Sequence, residues 1–404
     1  MTWREIDLGQ AIKVKHGFAF DGRFFVSSGD LMVLTPGNFH EGGGFRVRPG
    51  KERFYRGDFP SEYGLKAGDL IVAMTEQGEG LLGSSAWIPE SGRYLHNQRL
   101  GLISECDASL LDKKFLYRLF NSAQVRGQIR GSATGTKVRH TAPERIYRVN
   151  VRVPPISAQR RIAEMLDRYD DLIENNQRRI KLLEEAARRL YREWFVVLRF
   201  PGHERVKVVD GVPQGWQRVT LTDIASVNES AVSIKNTPDT LLYLDISSVG
   251  TGVIHEATEY VFADAPGRAR RKVKHGDTIW SCVRPNRRSY ALIWEPRENL
   301  IASTGFAVLT PKTVPFAYLH LATTTDEFVG YLTSNATGAA YPAVTARDFE
   351  SAELSKPSAS VLDDFDRRVT PLLAQQEVLQ RYCKSLQQAR DALLPRLMSG
   401  ALAV

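Results

Sequence analysis

Cysteine is scarce: the 404 residues hold three, Cys106, Cys282 and Cys383, widely spaced and odd in number. That spacing excludes a clustered metal knuckle, argues against a disulfide framework and predicts a reducing, cytoplasmic setting. Long apolar runs are missing too. None approaches the roughly 20 residues that span a bilayer. The opening MTWREIDLGQ has no signal-like apolar core, so no membrane association is expected.

Signatures of catalysis are equally absent. There is no GxxxxGK[ST] phosphate loop, no HExxH pair and no GxSxG elbow, and the eight histidines are scattered. The (D/N)PP(Y/F) tetrapeptide of adenine methylases is missing; VPPI at 153–156 comes nearest and lacks the amide or carboxylate that grips the base. Gly78, Gly80 and Gly83 satisfy GxGxxG, but SSAWIP follows them rather than a helix start, so they read as a loop. The acid pairs Asp170-Asp171 and Glu184-Glu185 sit among arginines, as a solvated, ion-paired face does. The expectation is a recogniser with no catalytic residue and no metal of its own.

What the chain does contain is a repeat. GSATG at 131–135 is echoed by SNATG at 334–338. Upstream, LKAGDLIVAM (65–74) matches VKHGDTIWSC (273–282), and TWREIDLGQAIKV (2–14) matches GWQRVTLTDIASV (215–227). The offset runs from 213 through 208 to 203, five residues at a time, as insertions in surface loops produce.

Downstream of each loop the apolar residues fall at alternating spacings of four and three. The first series is Ile162, Leu166, Tyr169, Ile173, Asn176, Ile180, Leu183, Ala187, Leu190 and Trp194. The second is Phe365, Val369, Leu372, Gln376, Leu379, Cys383, Leu386, Arg390, Leu393 and Leu397. A 3.5-residue period sustained this long marks a coiled-coil seam. Each seam has a polar break, Asn176 and Gln376, and Arg390 is the poorest fit, with Ala389 sharing its place.

The chain therefore reads as globule (1–155), long helix (156–199), connector (200–215), globule (216–357), long helix (358–404). Pro154-Pro155 closes the first globule, and Ser157 is placed as the cap of a helix about 60 Å long. Pro395 is expected to kink or end the second helix, and Gly400 to terminate it. Within the globules, LIVAM (70–74), RLGLIS (99–104) and VNVRV (149–153) read as strands, and 112–130 has helical spacing. The fold class is α+β.

Charge is unevenly placed. Residues 1–155 carry 22 Lys and Arg against 16 Asp and Glu, whereas 216–357 carry 14 against 15. The second globule gathers its cations in RARRKVK (268–274) and VRPNRRS (283–289). The first offers GTKVRHT (135–141) and the polar, glycine-rich TEQGEGLLGSS (75–85), which occupies the place of VRPNRRS in the repeat. Cations for a phosphate backbone and polar side chains for base edges are what nucleic-acid binding requires.

The layout resembles the specificity subunit of type I restriction-modification enzymes across essentially the whole chain. VPPISAQRRIAEMLDRYDDLIENNQ leading into LYREWFV, and LLPRLMSGAL near the C-terminus, carry the likeness, with AMTEQGEGLLG and VRPNRRSYAL beside them. The resemblance implies two target-recognition domains, each reading one half of a split site in double-stranded DNA. It implies pseudo-twofold symmetry and two helices packed as an antiparallel coiled coil that spaces the domains. It also implies two modification (methylase) subunits docked on the spacer, with restriction (translocase and nuclease) subunits beyond. S-adenosylmethionine, ATP and Mg are expected on those partners and none on this chain. Carried over by position, Thr75, Glu76, Gln77, Thr136, Lys137, Arg139 and His140 are expected to contact the first half-site. Arg284, Asn286, Arg287, Arg288, Tyr341 and Thr345 are expected at the second. Tyr341 reads equally well as a stacking aromatic or as a core ring beside Pro342. Two other readings stay open here: a fused or stand-alone DNA methyltransferase, and a coiled-coil scaffold whose globules bind peptides.

Overall fold

The computed structural model describes residues 2–78, 80–233 and 238–403, and in it the repeated strings become repeated elements. The chain forms two compact units, Met1–Glu174 with Lys384–Val404, and Asn175–Cys383.

In the first unit Arg4–Asp7 pairs antiparallel with Asn150–Val153. An antiparallel sheet follows in the order Ile12–His16, Leu100–Cys106, Leu70–Ala73, Ser85–Trp87. In the second unit the counterparts are Gln217–Thr220 with Glu353–Lys356, and the sheet Ala225–Val227, Phe306–Pro311, Thr278–Ser281, Tyr290–Leu292. Three helices recur at an offset of 203: Lys113–Phe120, Ala123–Gly131 and Pro143–Tyr147 against Phe316–Ala322, Asp326–Asn335 and Ala346–Glu350. A further small sheet in each unit includes one parallel pair, Met32–Val33 with Tyr94–Leu95, and Thr240–Leu244 with Leu300–Ser303. The strands expected at 70–74, 99–104 and 149–153 are present. The helical stretch 112–130 is instead two helices. Asn121 ends the first, and the Ser122 hydroxyl caps the second by accepting from the Val125 amide.

The long helices are Ile156–Tyr191, continued by a π-helical turn at Arg192–Val196, and Ala359–Ser399. In the first unit, Ile162, Ala163 and Leu166 share a core with Leu397 and Met398. In the second, Ala187, Tyr191, Trp194 and Phe195 share a core with Leu362, Phe365, Val369 and Leu373. The start of one helix thus lies against the end of the other within each unit, as antiparallel helices require. The seam positions are buried or half-buried throughout. Leu373, not Leu372, takes the fully buried place at its step. Arg390 keeps its own place by bonding Asp170 at 2.6 Å.

Two details correct the expectations. The first amides of the long helix, Ala158 and Gln159, bond the Pro155 carbonyl, so Ser157 lies inside the first turn rather than capping it. Pro395 neither ends nor breaks the second helix, which runs to Ser399. A proline inside a helix costs about 3 kcal/mol. Leu397 and Met398 just beyond it are buried, and each such side chain returns about 1.5–3 kcal/mol. Gly400 then stops the helix with φ +78°. Within the connector, Val208–Val209 and Val212–Pro213 form a hairpin. No described helix is long and apolar enough to cross a membrane.

Candidate nucleic-acid interface

In each unit the strand leaving the central sheet runs into a polar loop, and the echoed loop folds back against it. Thr134 and His140 exchange both backbone hydrogen bonds, at 3.0 and 2.8 Å; Thr337 and Ala343 do the same, at 2.9 Å each. The next residue then ties the loop to the strand end: Thr141 donates to the Met74 carbonyl and Val344 to the Cys282 carbonyl, both at 2.9 Å. Gly135 and Gly338 have φ of +96° and +105°. A Cβ on Gly135 would sit 2.0 Å from the Val138 carbonyl oxygen, so the glycine of the echo is required by the turn.

In the first unit this geometry brings four of the expected residues together. Thr75–Glu76 pairs with Arg139–His140, and the Thr75 hydroxyl lies 3.1 Å from His140 Nδ1. Gln77, Thr136, Lys137 and His140 are exposed and Arg139 is half-buried. Glu76 is not at the surface. It is 2% exposed, and its Oε2 accepts from the amides of Gly80, Leu81 and Leu82 at 3.1, 3.0 and 2.8 Å. Through Oε2 its carboxylate shapes the glycine loop. Gly78, Gly80 and Gly83 all have positive φ, and no helix starts there among the described residues.

Two arginines that sequence reasoning passed over hold these loops. Arg126 donates to the carbonyls of Glu41 and Gly80. Arg145 donates to the Thr134 hydroxyl at 2.9 Å and the His140 carbonyl at 3.2 Å. Arg126 lies in the stretch read as helical, and Arg145 on the short helix Pro143–Tyr147, which the sequence did not signal. What they reach is set by the fold.

In the second unit VRPNRRS makes a 3-10 turn, Pro285–Arg287, between two left-handed residues, Arg284 at φ +52° and Arg288 at φ +55°. Each such residue stores about 1–2 kcal/mol, tolerated only where neighbours fix it. Arg284 is fixed through its backbone, which donates to the Pro342 carbonyl at 2.7 Å. Its guanidinium Nη2 bonds the Ala340 carbonyl at 3.0 Å and lies over the Tyr341 ring, 4.5 Å from the centroid. Tyr341 is 69% exposed, so the core reading of this ring is wrong. Arg288 is neutralised by Asp326 at 2.6 Å. Asn286 and Arg287 are exposed. The Thr345 hydroxyl and amide are both taken by Asp348, as the cap of helix Ala346–Glu350. Burial pushes the neighbouring Cys282 thiol up to about 11, which favours the neutral thiol. Among the described residues no group of His, Cys, Asp and Glu could hold a metal ion.

These loops are set on a duplicated α+β frame with paired helices, and known proteins share it. Residues 2–185 match the family model of the Type I restriction modification DNA specificity domain. The chain is 23% identical over 308 residues to the Type I restriction enzyme MjaIX specificity subunit of Methanocaldococcus jannaschii, covering 72% of this chain and 69% of that one. It is 21% identical over 411 residues to the Type I restriction enzyme EcoBI specificity subunit of Escherichia coli, covering 94% and 81%. The crystal structure of the type I restriction-modification system S subunit from M. genitalium has the same fold, with a TM-score of 0.64 over 98% of this chain and 96% of that one, at 16% identity. Residues 2–185 thus match a type I specificity domain, and the chain along most of its length is similar to type I restriction-modification specificity subunits.

Proposed function

We propose that this chain reads a two-part DNA site, one part through the loops of 1–155 and the other through the loops of 216–357. The carrying observation is that both units place a polar loop and an echoed loop against each other by the same backbone bonds, at Met74 with Thr141 and at Cys282 with Val344. The loops differ in side chains, so the two halves of the site differ in sequence. Lys137, Arg139 and His140 with Gln77 serve the first half; Arg284, Asn286 and Arg287 with Tyr341 serve the second. Glu76, Arg288 and Thr345 shape loops rather than touch bases.

The long helices are the natural dock for modification subunits. They leave large apolar side chains in water: Leu172 is 44% exposed, Leu182 63%, Val378 58% and Tyr382 49%. Single exposed side chains are ordinary, but several on a helix pair fit a protein partner.

The test is binding of the assembled complex to duplexes in which each half-site is scrambled in turn, over a range of salt. Affinity is expected to fall steeply with salt and to depend on both halves. Arg287→Ala is expected to change the preference at one half only. A flat salt response would favour a protein scaffold, and equal loss at both halves would refute two separate readers.

A further inference from the structure

We propose that Arg284 is a specificity-determining residue of the second unit and that it reads a guanine. The inference rests on the DNA-reading function proposed above and goes further, naming the base and the residue. VRPNRRS offers three arginines, and the structure separates them. Arg288 is neutralised by Asp326 at 2.6 Å. Arg287 is exposed on the 3-10 turn with no side-chain anchor among the described residues. Only Arg284 is both anchored and uncompensated.

Its anchoring is specific. The Val283–Ala343 bridge and the bond from its own amide to the Pro342 carbonyl at 2.7 Å fix the backbone. Nη2 is held by the Ala340 carbonyl at 3.0 Å, and the Tyr341 ring supports the guanidinium face at 4.5 Å. No carboxylate pairs with it, and Nε and Nη1 have no partner among the described residues. A flat, fixed fork with donors to spare matches the two acceptors, O6 and N7, that guanine presents in the major groove. A mobile surface arginine would lose side-chain freedom on binding. This one has already lost it, so its contact favours the right base rather than any phosphate. The exposed Tyr341 is thereby explained as the platform that orients the fork.

The experiment is selection from a duplex library randomised across the second half-site, using the full chain assembled with its modification subunits. The wild type is expected to select guanine strongly at one base pair. Arg284→Ala should erase that preference, a change of about 5- to 150-fold in discrimination at that pair, and leave the other pairs and the first half-site as they were. Tyr341→Ala, which keeps the arginine, should weaken the same preference in part. Arg288→Lys, which keeps a cation beside Asp326, should leave it intact. The proposal is overturned if Arg284→Ala weakens all sequences equally, as loss of a phosphate contact does, or if the guanine preference survives. It is also overturned if Arg288→Lys produces the same loss. A wild type with no preference at any position would refute DNA reading itself, which is a different result from a preference that ignores Arg284.

Discussion

Arg118 ties the first globule to its helix, and removing it should loosen one unit and not the other. Its side chain is 9% exposed, with Nη2 at 2.6 Å from Asp167 and Nη1 at 2.6 Å from Asp170. Breaking a buried pair by deleting one partner costs about 3–5 kcal/mol, because the other charge is stranded. Here the carboxylates are 26% and 34% exposed, and each keeps a second cation, Lys114 at 2.7 Å on Asp167 and Arg390 at 2.6 Å on Asp170. Water and those cations soften the loss, so Arg118→Met should cost about 2–3 kcal/mol. Burial pushes the Asp167 carboxyl up, but hydrogen bonds from Lys114 and Arg118 hold it below the usual range. Its share of stability is therefore present above about pH 3.9 and lost as pH falls through the lowered value, and the substitution should shrink that acid-sensitive part. Hydrogen exchange read by mass spectrometry on the full chain checks the location. Protection should fall in 113–120 and 156–174 and hold in 316–335. A loss below about 0.5 kcal/mol, the size of an exposed pair, would refute the reasoning, and so would a loss in 316–335 equal to that in 113–120 and 156–174.

Other consequences follow from the same contacts. Burial pushes His96 down to about 4 and His320 down to about 3, so both are neutral in the fold. Unfolded histidine titrates near 6.5, so stability should fall with pH below that value, by about 2 kcal/mol per histidine at pH 5; urea unfolding at pH 7.5 and 5 tests this, and a slope unchanged in His96→Gln and His320→Gln would count against it. Gly135→Ala, at φ +96° with 2.0 Å of room, should disrupt the echoed loop and reduce reading of one half-site at least tenfold by duplex binding. Gly127→Ala, on a helix with open space around it, should instead be neutral or stabilise by up to about 1 kcal/mol in thermal unfolding. Inserting four matched residues into each long helix adds about 6 Å, so the gap between half-sites, mapped by methylated adenines, should grow by about two base pairs with the half-site sequences unchanged.

The duplication was open to reading from the linear chain because both copies solve the same local problems. Each needs a glycine where φ is positive, an apolar strand between helices, and a seam of 3.5-residue period. These are constraints between near neighbours, so they leave marks at short spacing. The loops at 75–85, 135–141 and 283–289 were likewise visible as polar interruptions. Their division of labour was not. Glu76 and Arg284 look alike in sequence, each a charged residue just past a strand. The first is buried under three backbone amides, and the second lies open over a tyrosine 57 residues further along the chain. Arg126, Arg145 and Asp326 gained their roles from what the fold set beside them. Pro395 stayed inside a helix because packing outweighed its local preference. Order, period and duplication follow from the chain's local chemistry. Which charges are exposed, anchored or cancelled depends on distant segments meeting, and only the folded molecule decides that.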